Sequence, residues 1–236
     1  MYANRYECPA MSFLSALLSL VGFFVVSVVG LYVLIQYIAN FQPGLKKLSR
    51  DVKKMGRTLE AERETLIPFD REEMNLLSFN QVDQSRKKGV VTTHTGVLTT
   101  IYHEPVISYS YRKYPGNPVS AVLCAQTKTH EFVYILKKGK VFMEVDGSPL
   151  GELRDQSRLY GARNQQLLAR IEREASDELL PVTILNREVG RLAKPSQSAH
   201  SNTRAFQVLG QMEDEERLIL LSLTILEAVS AHVENK

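Results

Sequence analysis

The most apolar part of the chain lies near its N-terminus, where no charged residue occurs from position 9 to position 45. Within this stretch, residues 13–35 read FLSALLSLVGFFVVSVVGLYVLI. A helix of this length measures about 35 Å, enough to cross a hydrocarbon core of about 30 Å. The pattern therefore predicts a transmembrane helix over residues 12–41, preceded by a short segment, residues 1–11. A cleaved signal peptide is disfavoured because its apolar region is shorter, about 7–15 residues.

A second helical pattern follows Pro43 and Gly44, within residues 42–69. Apolar residues recur there at spacings of three, four and seven: Leu45, Leu48, Val52, Met55, Leu59 and Leu66. This spacing predicts an amphipathic helix, and two interpretations of its apolar face stay open. One is a short parallel coiled coil that continues a dimeric membrane span, in which small residues at positions 12, 15, 19 and 22 share one helix face. The other is a single helix that lies on the membrane or on its own domain.

Positive charge is concentrated in this second helix, although the whole chain has a net charge of only +3. The basic residues there are Lys46, Lys47, Arg50, Lys53, Lys54 and Arg57, and Asp51 is the one acid among them. Cytoplasmic flanks of membrane spans carry the excess of basic residues. The sequence thus predicts an N-terminus outside and the rest of the chain in the cytoplasm. Each cation near an anionic leaflet contributes about 1 kcal/mol of attraction, so we expect this cluster to bind the membrane surface.

Residues 70–236 have the size of one domain, and most of them show the pattern of β-strands. Segments rich in Val, Ile, Thr and Tyr are separated by turn signals such as Lys138-Gly139 and Asp146-Gly147. The predicted strands are 89–102, 106–114, 119–126, 131–136, 140–145, 150–154, 167–172, 182–185 and 188–192. Their regular spacing predicts a meandering antiparallel sheet or barrel. Residues 164–180 are also rich in helix formers, and the choice between helix and strand stays open there.

The last element predicted from the sequence is a buried helix. Four acidic residues at 213–216 precede a stretch, 218–226, that contains no charge and places apolar residues on every helix face. Acidic residues suit a helix start because of the helix dipole, and a helix that is apolar all round must be buried. This helix is too short to span a bilayer. We therefore expect the preceding strands to enclose it.

Two short segments resemble each other, 145–153 and 185–192. Each has a polar turn, then an apolar residue, a glycine, a charged residue and a leucine. They predict two similar β-hairpins in which Gly151 and Gly190 allow a bulge or a close backbone approach.

The predicted architecture resembles the tubby-like fold, which tubby C-terminal domains, phospholipid scramblases and LURP-one-related proteins share. The residues that carry the resemblance are KVFMEVDGSPLGEL at 140–153, REVGRL at 187–192 and EDEERLILLSLTILEAV at 213–229. The resemblance implies a mainly antiparallel β-barrel that encloses the C-terminal helix, in a membrane-associated domain that recognises lipid headgroups. The chain departs from scramblases in its N-terminal anchor, and it has no D-x-D-x-D-G loop. Calcium-dependent scrambling is therefore not carried over.

Further basic residues fall at or near predicted turns of the sheet: Arg86, Lys87, Lys88, Arg112, Lys113, Lys137, Lys138 and Lys140. If these residues face the bilayer together, they form a candidate headgroup patch. The alternative is a set of ordinary solvated turns.

The sequence offers no pattern for catalysis. The five histidines and the two cysteines, Cys8 and Cys124, lack metal-ligand spacing, and no nucleophile elbow or nucleotide-binding loop occurs. We therefore expect neither enzymatic activity nor a cofactor. Cys124 lies in an apolar stretch and is expected to be an inert buried thiol. The small net charge and the lack of Trp argue against nucleic-acid binding.

These features together predict a single-pass membrane protein whose cytoplasmic domain binds anionic lipid headgroups or a partner at the membrane surface. Two alternatives stay open, namely a lipid-scrambling or lipid-transport activity, and a role as an accessory subunit of a membrane complex. A homodimer through the transmembrane and second helices is a further expectation.

Overall fold

The computed structural model describes residues 9–41, 43–69, 73–174, 179–194 and 204–234. The chain divides into two compact units, residues 1–41 and residues 42–236.

The first unit contains one long helix, α1, which spans Pro9–Asn40. Its segment Ser15–Asn40 has a mean hydropathy of 2.6 and is long and apolar enough to cross a membrane. The large apolar side chains that the structure describes along α1 are exposed rather than packed in a protein core. The hydroxyl groups of Ser19 and Ser27 donate to carbonyl oxygens four residues earlier, at 2.9 and 2.8 Å. These polar groups are therefore satisfied within the helix, as an apolar surrounding requires.

The second unit is built around one antiparallel sheet. Its strands are β1 (Leu77–Lys87), β2 (Thr92–Thr100), β3 (Pro105–Tyr114), β4 (Ser120–Gln126), β5 (Glu131–Lys137), β6 (Lys140–Val145), β7 (Ser148–Arg154), β8 (Arg158–Gly161), β9 (Leu167–Ile171), β10 (Leu179–Ile184), β11 (Arg187–Ala193) and β12 (Phe206–Val208). Each strand pairs with the next one along the chain. The sheet nearly closes on itself, because Ser78 bridges Arg204 and the Ala205 amide donates to the Leu77 carbonyl at 2.7 Å. The fold is thus a twelve-stranded, nearly closed antiparallel barrel.

The C-terminal helix α3, Asp214–Glu234, belongs to the same hydrophobic core as the inward-facing strand residues. Apolar residues on all of its faces are buried, among them Leu220, Leu223 and Ile225. The Tyr134 hydroxyl on β5 donates to the Ser222 carbonyl of this helix at 2.9 Å. The prediction of a buried C-terminal helix is confirmed, and the apolar all-round pattern is explained by this burial.

Helix α2, Leu45–Glu60, packs on the outer surface of β3 and β4. Its apolar residues Leu48, Met55 and Leu59 form a small second core with outward-facing strand residues, including Val122 and Cys124. Of the two interpretations of the apolar spacing, the structure shows a helix that lies on its own domain. The face that would form a coiled coil is buried against the barrel, so the coiled coil is not supported. Two single 3-10 turns follow α2, at Arg63–Thr65 and Met74–Leu76.

Because neighbouring strands are antiparallel, their turns alternate between two ends of the barrel. One end carries the turns 88–91, 115–119, 138–139 and 155–157, and the other carries 101–104, 127–130, 146–147, 162–166 and 185–186. Helix α2 begins near the first end, where Asp51 pairs with Arg112, and ends near the second, where the Gln126 side chain donates to the Leu59 carbonyl. We call the first end proximal and the second end distal.

Helix α3 runs through the barrel in the opposite sense to α2. Glu216 in its first turns pairs with Arg187 at the distal end, and Glu227 near its end pairs with Arg173, which follows β9 at the proximal end. The helix thus connects the two ends of the barrel through the core.

Nine of the twelve strands correspond to strands that the sequence predicts, and their end points differ by a few residues. Strands β1 and β8 were not predicted, and the short β12 was expected only as a strand near Phe206. The described parts of the segment 164–180, residues 164–174 and 179–180, contain strand β9 and the start of β10 and no helix.

The expectation for the two hairpin glycines is confirmed. A Cβ at Gly151 would lie 2.2 Å from the Tyr160 carbonyl oxygen, and one at Gly190 would lie 2.8 Å from that of Gln207. The strand register shifts beside both positions. Only glycine fits such a close backbone approach.

Candidate functional site

The basic residues predicted as a headgroup patch lie at or near one end of the barrel. Strand β1 ends at the proximal end, β3 and β5 also end there, and β6 begins there. The antiparallel order therefore places all eight cations on the proximal side: Arg86, Lys87, Lys88, Arg112, Lys113, Lys137, Lys138 and Lys140.

Among the described residues, Arg112 and Lys140 hold carboxylates in ion pairs. The Arg112 guanidinium is half-buried and lies 2.8 Å from an Asp51 carboxylate oxygen. The Lys140 ammonium lies 2.8 Å from Glu152, which Arg154 also contacts at 2.7 Å. These two bonds hold the pKa of Glu152 at about 2, with the Arg154 bond as the larger cause. Arg112 and Lys140 are thus committed to structural pairs.

The other six cations form what we call the basic rim: Arg86, Lys87, Lys88, Lys113, Lys137 and Lys138. Within the part of the chain that the structure describes, Lys87, Lys88, Lys113, Lys137 and Lys138 have no carboxylate at ion-pair distance. The rim follows neighbouring strands from β1 to the β5–β6 turn. Four strand spacings of about 4.8 Å each separate β1 from β5, so the rim extends about 19 Å.

The first turns of α2 add cations in the middle of this arc. The helix lies against β3 and β4, which are the central strands of the rim, and its residues Lys46, Lys47 and Arg50 precede the Asp51–Arg112 contact. Lys46 and Arg50 are exposed to solvent. We call these three residues and the basic rim together the proximal cation surface.

The remaining α2 cations, Lys53, Lys54 and Arg57, lie farther along the side of the barrel. Arg57 follows Lys46 by eleven residues, which is about 16 Å along the helix axis. The sequence treated all six cations as one cluster, but the structure distributes them from the proximal end toward the distal end.

An ion pair and a hydrogen bond to one buried acid fix the position of α2. Asp51 accepts a hydrogen bond from the Tyr114 hydroxyl and pairs with Arg112. Burial, followed by the bond to the Asp51 carboxylate, raises the pKa of Tyr114 well above its usual value. This role of Asp51 is not among the features predicted from the sequence. The available signal was its spacing of three residues from Leu48, which places it on the apolar side of the helix.

At the distal end, acidic side chains outnumber the cations Arg63, Lys128, Arg163 and Arg187. Acidic residues of the α2 end, of the following segment and of the distal turns gather there: Glu60, Glu62, Glu64, Glu73, Glu104, Glu131, Asp146 and Glu213. Some of these acids are paired, for example Glu131 with Arg63. Burial and the nearby Asp83 carboxylate raise the pKa of Glu62, as expected where acids lie close together. The barrel is therefore electrically polar along its axis.

No arrangement for catalysis or metal binding is found among the described residues. These residues contain no cluster of three or more His, Cys, Asp or Glu side chains placed to hold a metal ion. Cys124 lies under α2, and burial raises the pKa of its thiol to about 12. The thiol is thus inert at neutral pH, as the sequence predicted. Cys8 lies outside the described residues.

A groove of 380 Å³ lies between α2 and the outer surface of β4–β6. Val52 and Val133 form part of its floor, but its walls mix the cations Lys53 and Arg57 with the acids Glu60 and Glu144. This mixed charge does not select one class of ligand. The proximal cation surface is consequently the stronger candidate site.

The chain was compared with protein-family models, with curated protein sequences and with solved structures, and none of them matches it.

Proposed function

We propose that this protein is a membrane-anchored, non-enzymatic domain that binds anionic lipid headgroups through the proximal cation surface. The observation that carries the proposal is the collection of six cations from three strand ends and their adjoining turns at one barrel end, around the cationic start of α2. Cations near an anionic leaflet each contribute about 1 kcal/mol of attraction. Several together are sufficient for stable docking of a domain that is already tethered.

The tether follows from the covalent chain. Four residues, 41–44, separate the end of α1 from the start of α2. Even when fully extended, a segment of this length spans only about 14 Å. If α1 crosses a bilayer, the start of α2 is therefore always close to headgroups. The basic residues that follow the span favour the cytoplasmic side for this domain, and anionic lipids are enriched on that side.

The architecture also agrees with a tubby-like domain, since a nearly closed barrel surrounds a buried apolar helix. We propose this kinship as an interpretation of the fold, with the hairpins at 140–153 and 187–192 as its sequence basis. The filled barrel interior argues against lipid passage through the barrel. Binding is therefore favoured over the alternative of lipid transport.

The proposal is tested by thermal unfolding of the full chain in zwitterionic micelles. Short-chain phosphatidylglycerol and phosphatidylcholine of equal chain length are added separately. A ligand that binds the native state raises its stability, so we expect a higher unfolding temperature with phosphatidylglycerol than with phosphatidylcholine. High salt should remove the difference, because exposed charges are screened. Equal shifts with both lipids would contradict headgroup recognition.

A matched pair of variants locates the binding. Lys138→Asn removes a cation from a proximal turn, and asparagine tolerates the left-handed backbone at this position, where φ is 53°. Arg163→Asn removes an exposed cation from a distal turn. We expect Lys138→Asn to reduce the phosphatidylglycerol effect and Arg163→Asn to leave it unchanged. If the two variants behave alike, the proximal surface is not the binding site.

A further inference from the structure

The charges of the barrel determine more than affinity, because they are separated along its axis. We propose that the domain docks upright, with the proximal end on an anionic bilayer surface and the distal end directed away from it. This inference rests on the proposed function, and it adds which end of the barrel faces the membrane. It also assigns different roles to the two halves of α2, which the sequence could not separate.

Helix α2 does not act as a loose basic tether. Its apolar face is buried with Tyr114 and Val122 on the barrel surface. Asp51 holds it at the proximal end, and the Gln126 amide holds the Leu59 carbonyl at the distal end. Because α2 and the barrel form one unit, any orientation that brings α2 to the bilayer also fixes the barrel.

Two orientations of the domain bring cations of α2 to the bilayer surface. In a side-on orientation, the whole length of α2 lies on the bilayer and all six of its cations make contact. This orientation also brings Glu60, Glu62 and Glu64 to the anionic surface, because they lie within seven residues after Arg57 and only one further cation, Arg63, lies among them. In the upright orientation, only Lys46, Lys47 and Arg50 make contact, but the basic rim is added.

The two orientations differ in the distance of the distal acids from the bilayer surface. Helix α2 has 16 residues and is about 24 Å long, so its distal end lies far from the proximal one. The Debye length at physiological ionic strength is about 8 Å. Upright docking therefore keeps the distal acids out of range of the leaflet, whereas side-on docking does not. Exposed apolar residues occur at both ends, for example Val119 and Tyr102, and do not distinguish the orientations.

The chain contains no Trp, so a single introduced Trp reports one position without background. Three exposed positions are suitable: Val119→Trp in a proximal turn, Tyr102→Trp in a distal turn, and Thr58→Trp on the far half of α2. Each full-length variant is reconstituted in vesicles of phosphatidylcholine and phosphatidylglycerol that carry an acceptor dye on a small fraction of headgroups. Energy transfer from Trp to the dye measures proximity to the surface.

We expect the highest transfer from Val119→Trp and clearly lower transfer from both Thr58→Trp and Tyr102→Trp. Equal transfer from positions 58 and 119 would establish the side-on orientation and overturn the proposal. The highest transfer from position 102 would establish an inverted orientation and would also overturn it.

Two double variants, each of which removes two cations, compare the contribution of the proximal cations with that of the cations on the far half of α2. In the Val119→Trp background, Lys137→Gln with Lys138→Asn removes two proximal cations, and Lys54→Gln with Arg57→Gln removes two cations from the far half of α2. Two cations at the surface correspond to roughly a 10- to 30-fold weaker docking equilibrium. We expect the proximal pair to reduce transfer and the α2 pair to leave it unchanged, and the reverse result would overturn the upright orientation.

The outcomes also separate this inference from the proposed function. If short-chain phosphatidylglycerol still stabilises the chain but transfer is equal at all three positions, headgroup binding stands and the upright orientation is wrong. If neither stabilisation nor a lipid-dependent change in transfer is seen, both are wrong.

Discussion

At the scale of single residues, Glu216 shows how one side chain connects two elements. Its carboxylate accepts a hydrogen bond from the Glu213 amide at 2.9 Å and pairs with Arg187 at 2.6 Å. The first contact caps the start of α3, and the second joins this helix to β11. The Arg187 bond, as the first cause, lowers the pKa of Glu216 below its usual value of 4.5. The charged form is therefore the one that stabilises the fold.

We predict that Glu216→Gln destabilises the protein at pH 7 by about 1–2 kcal/mol, because it removes a charged hydrogen-bond acceptor from a buried position. The pKa is lowered in the folded state, so the contribution is fully present above the unfolded pKa and is lost as the pH falls through the folded one. Denaturant unfolding at several pH values should show the stabilities of the two proteins converging as the pH falls below the usual pKa of 4.5. Glu215→Gln, at the exposed neighbour, is the control, and an equal effect there would contradict this role of Glu216.

At the scale of elements, strand β4 shows what limits prediction from sequence. All seven of its residues are buried, because α3 and the barrel core cover one face and α2 covers the other. Its sequence SAVLCAQ lacks the alternation of a half-exposed strand. This continuous pattern was the available sign that a further element covers the sheet. The pattern does not identify the element that covers β4. The sequence alone therefore does not show that the apolar face of α2 packs there.

Strands β1 and β8 were missed for opposite reasons. Strand β1 is eleven residues long, but two register shifts interrupt its pairing and most of its side chains are exposed. It therefore has neither a regular alternation nor an apolar stretch. Strand β8 has only four residues, too few for a recognisable period.

The sequence predicts the individual cations of the candidate site but not their arrangement on one surface. Each cation of the basic rim falls at a turn signal that the sequence shows. Their assembly depends on which turns share an end of the barrel, and that requires the number and order of the strands. Since β1 was not predicted, the position of Lys87 and Lys88 relative to Lys138 could not be derived.

The attachment of α2 gives a prediction at the element scale. Asp51→Ala leaves Arg112 half-buried without its partner, and we expect a loss of about 2 kcal/mol in unfolding free energy. Arg112→Ala should cost similarly, and the double variant should cost less than the sum, with a coupling of about 1 kcal/mol. Denaturant unfolding of the full chain in micelles measures all three. Additive losses would show that the two side chains do not hold α2 together, and Lys54→Ala, on the exposed side, serves as the control.

At the scale of the whole molecule, the charge pattern along the chain and the charge pattern in space agree. The first three cations that follow the apolar span in sequence, Lys46, Lys47 and Arg50, also lie toward the proximal end of the barrel, where α2 begins. The same charges can thus orient the span during insertion and hold the folded domain at the leaflet afterwards. Dimerisation through α1 stays a prediction. The apolar face of α2 is occupied by the barrel and is therefore not available for a dimer contact.

The orientation of the chain across the membrane can be measured with its own cysteines. Cys8 precedes the span, and Cys124 is buried with a thiol whose pKa is raised to about 12, so only Cys8 should react with a maleimide. Because the basic flank follows the span, we expect a membrane-impermeant maleimide to label Cys8 in intact cells after mild reduction. A Cys8→Ser variant should give no signal. Lys138→Cys in that background should react only in inverted vesicles, because the proximal turn then faces the reagent. Labelling of position 138 in intact cells would place the barrel outside, away from the cytoplasmic anionic leaflet, and would remove the basis for headgroup binding at that surface.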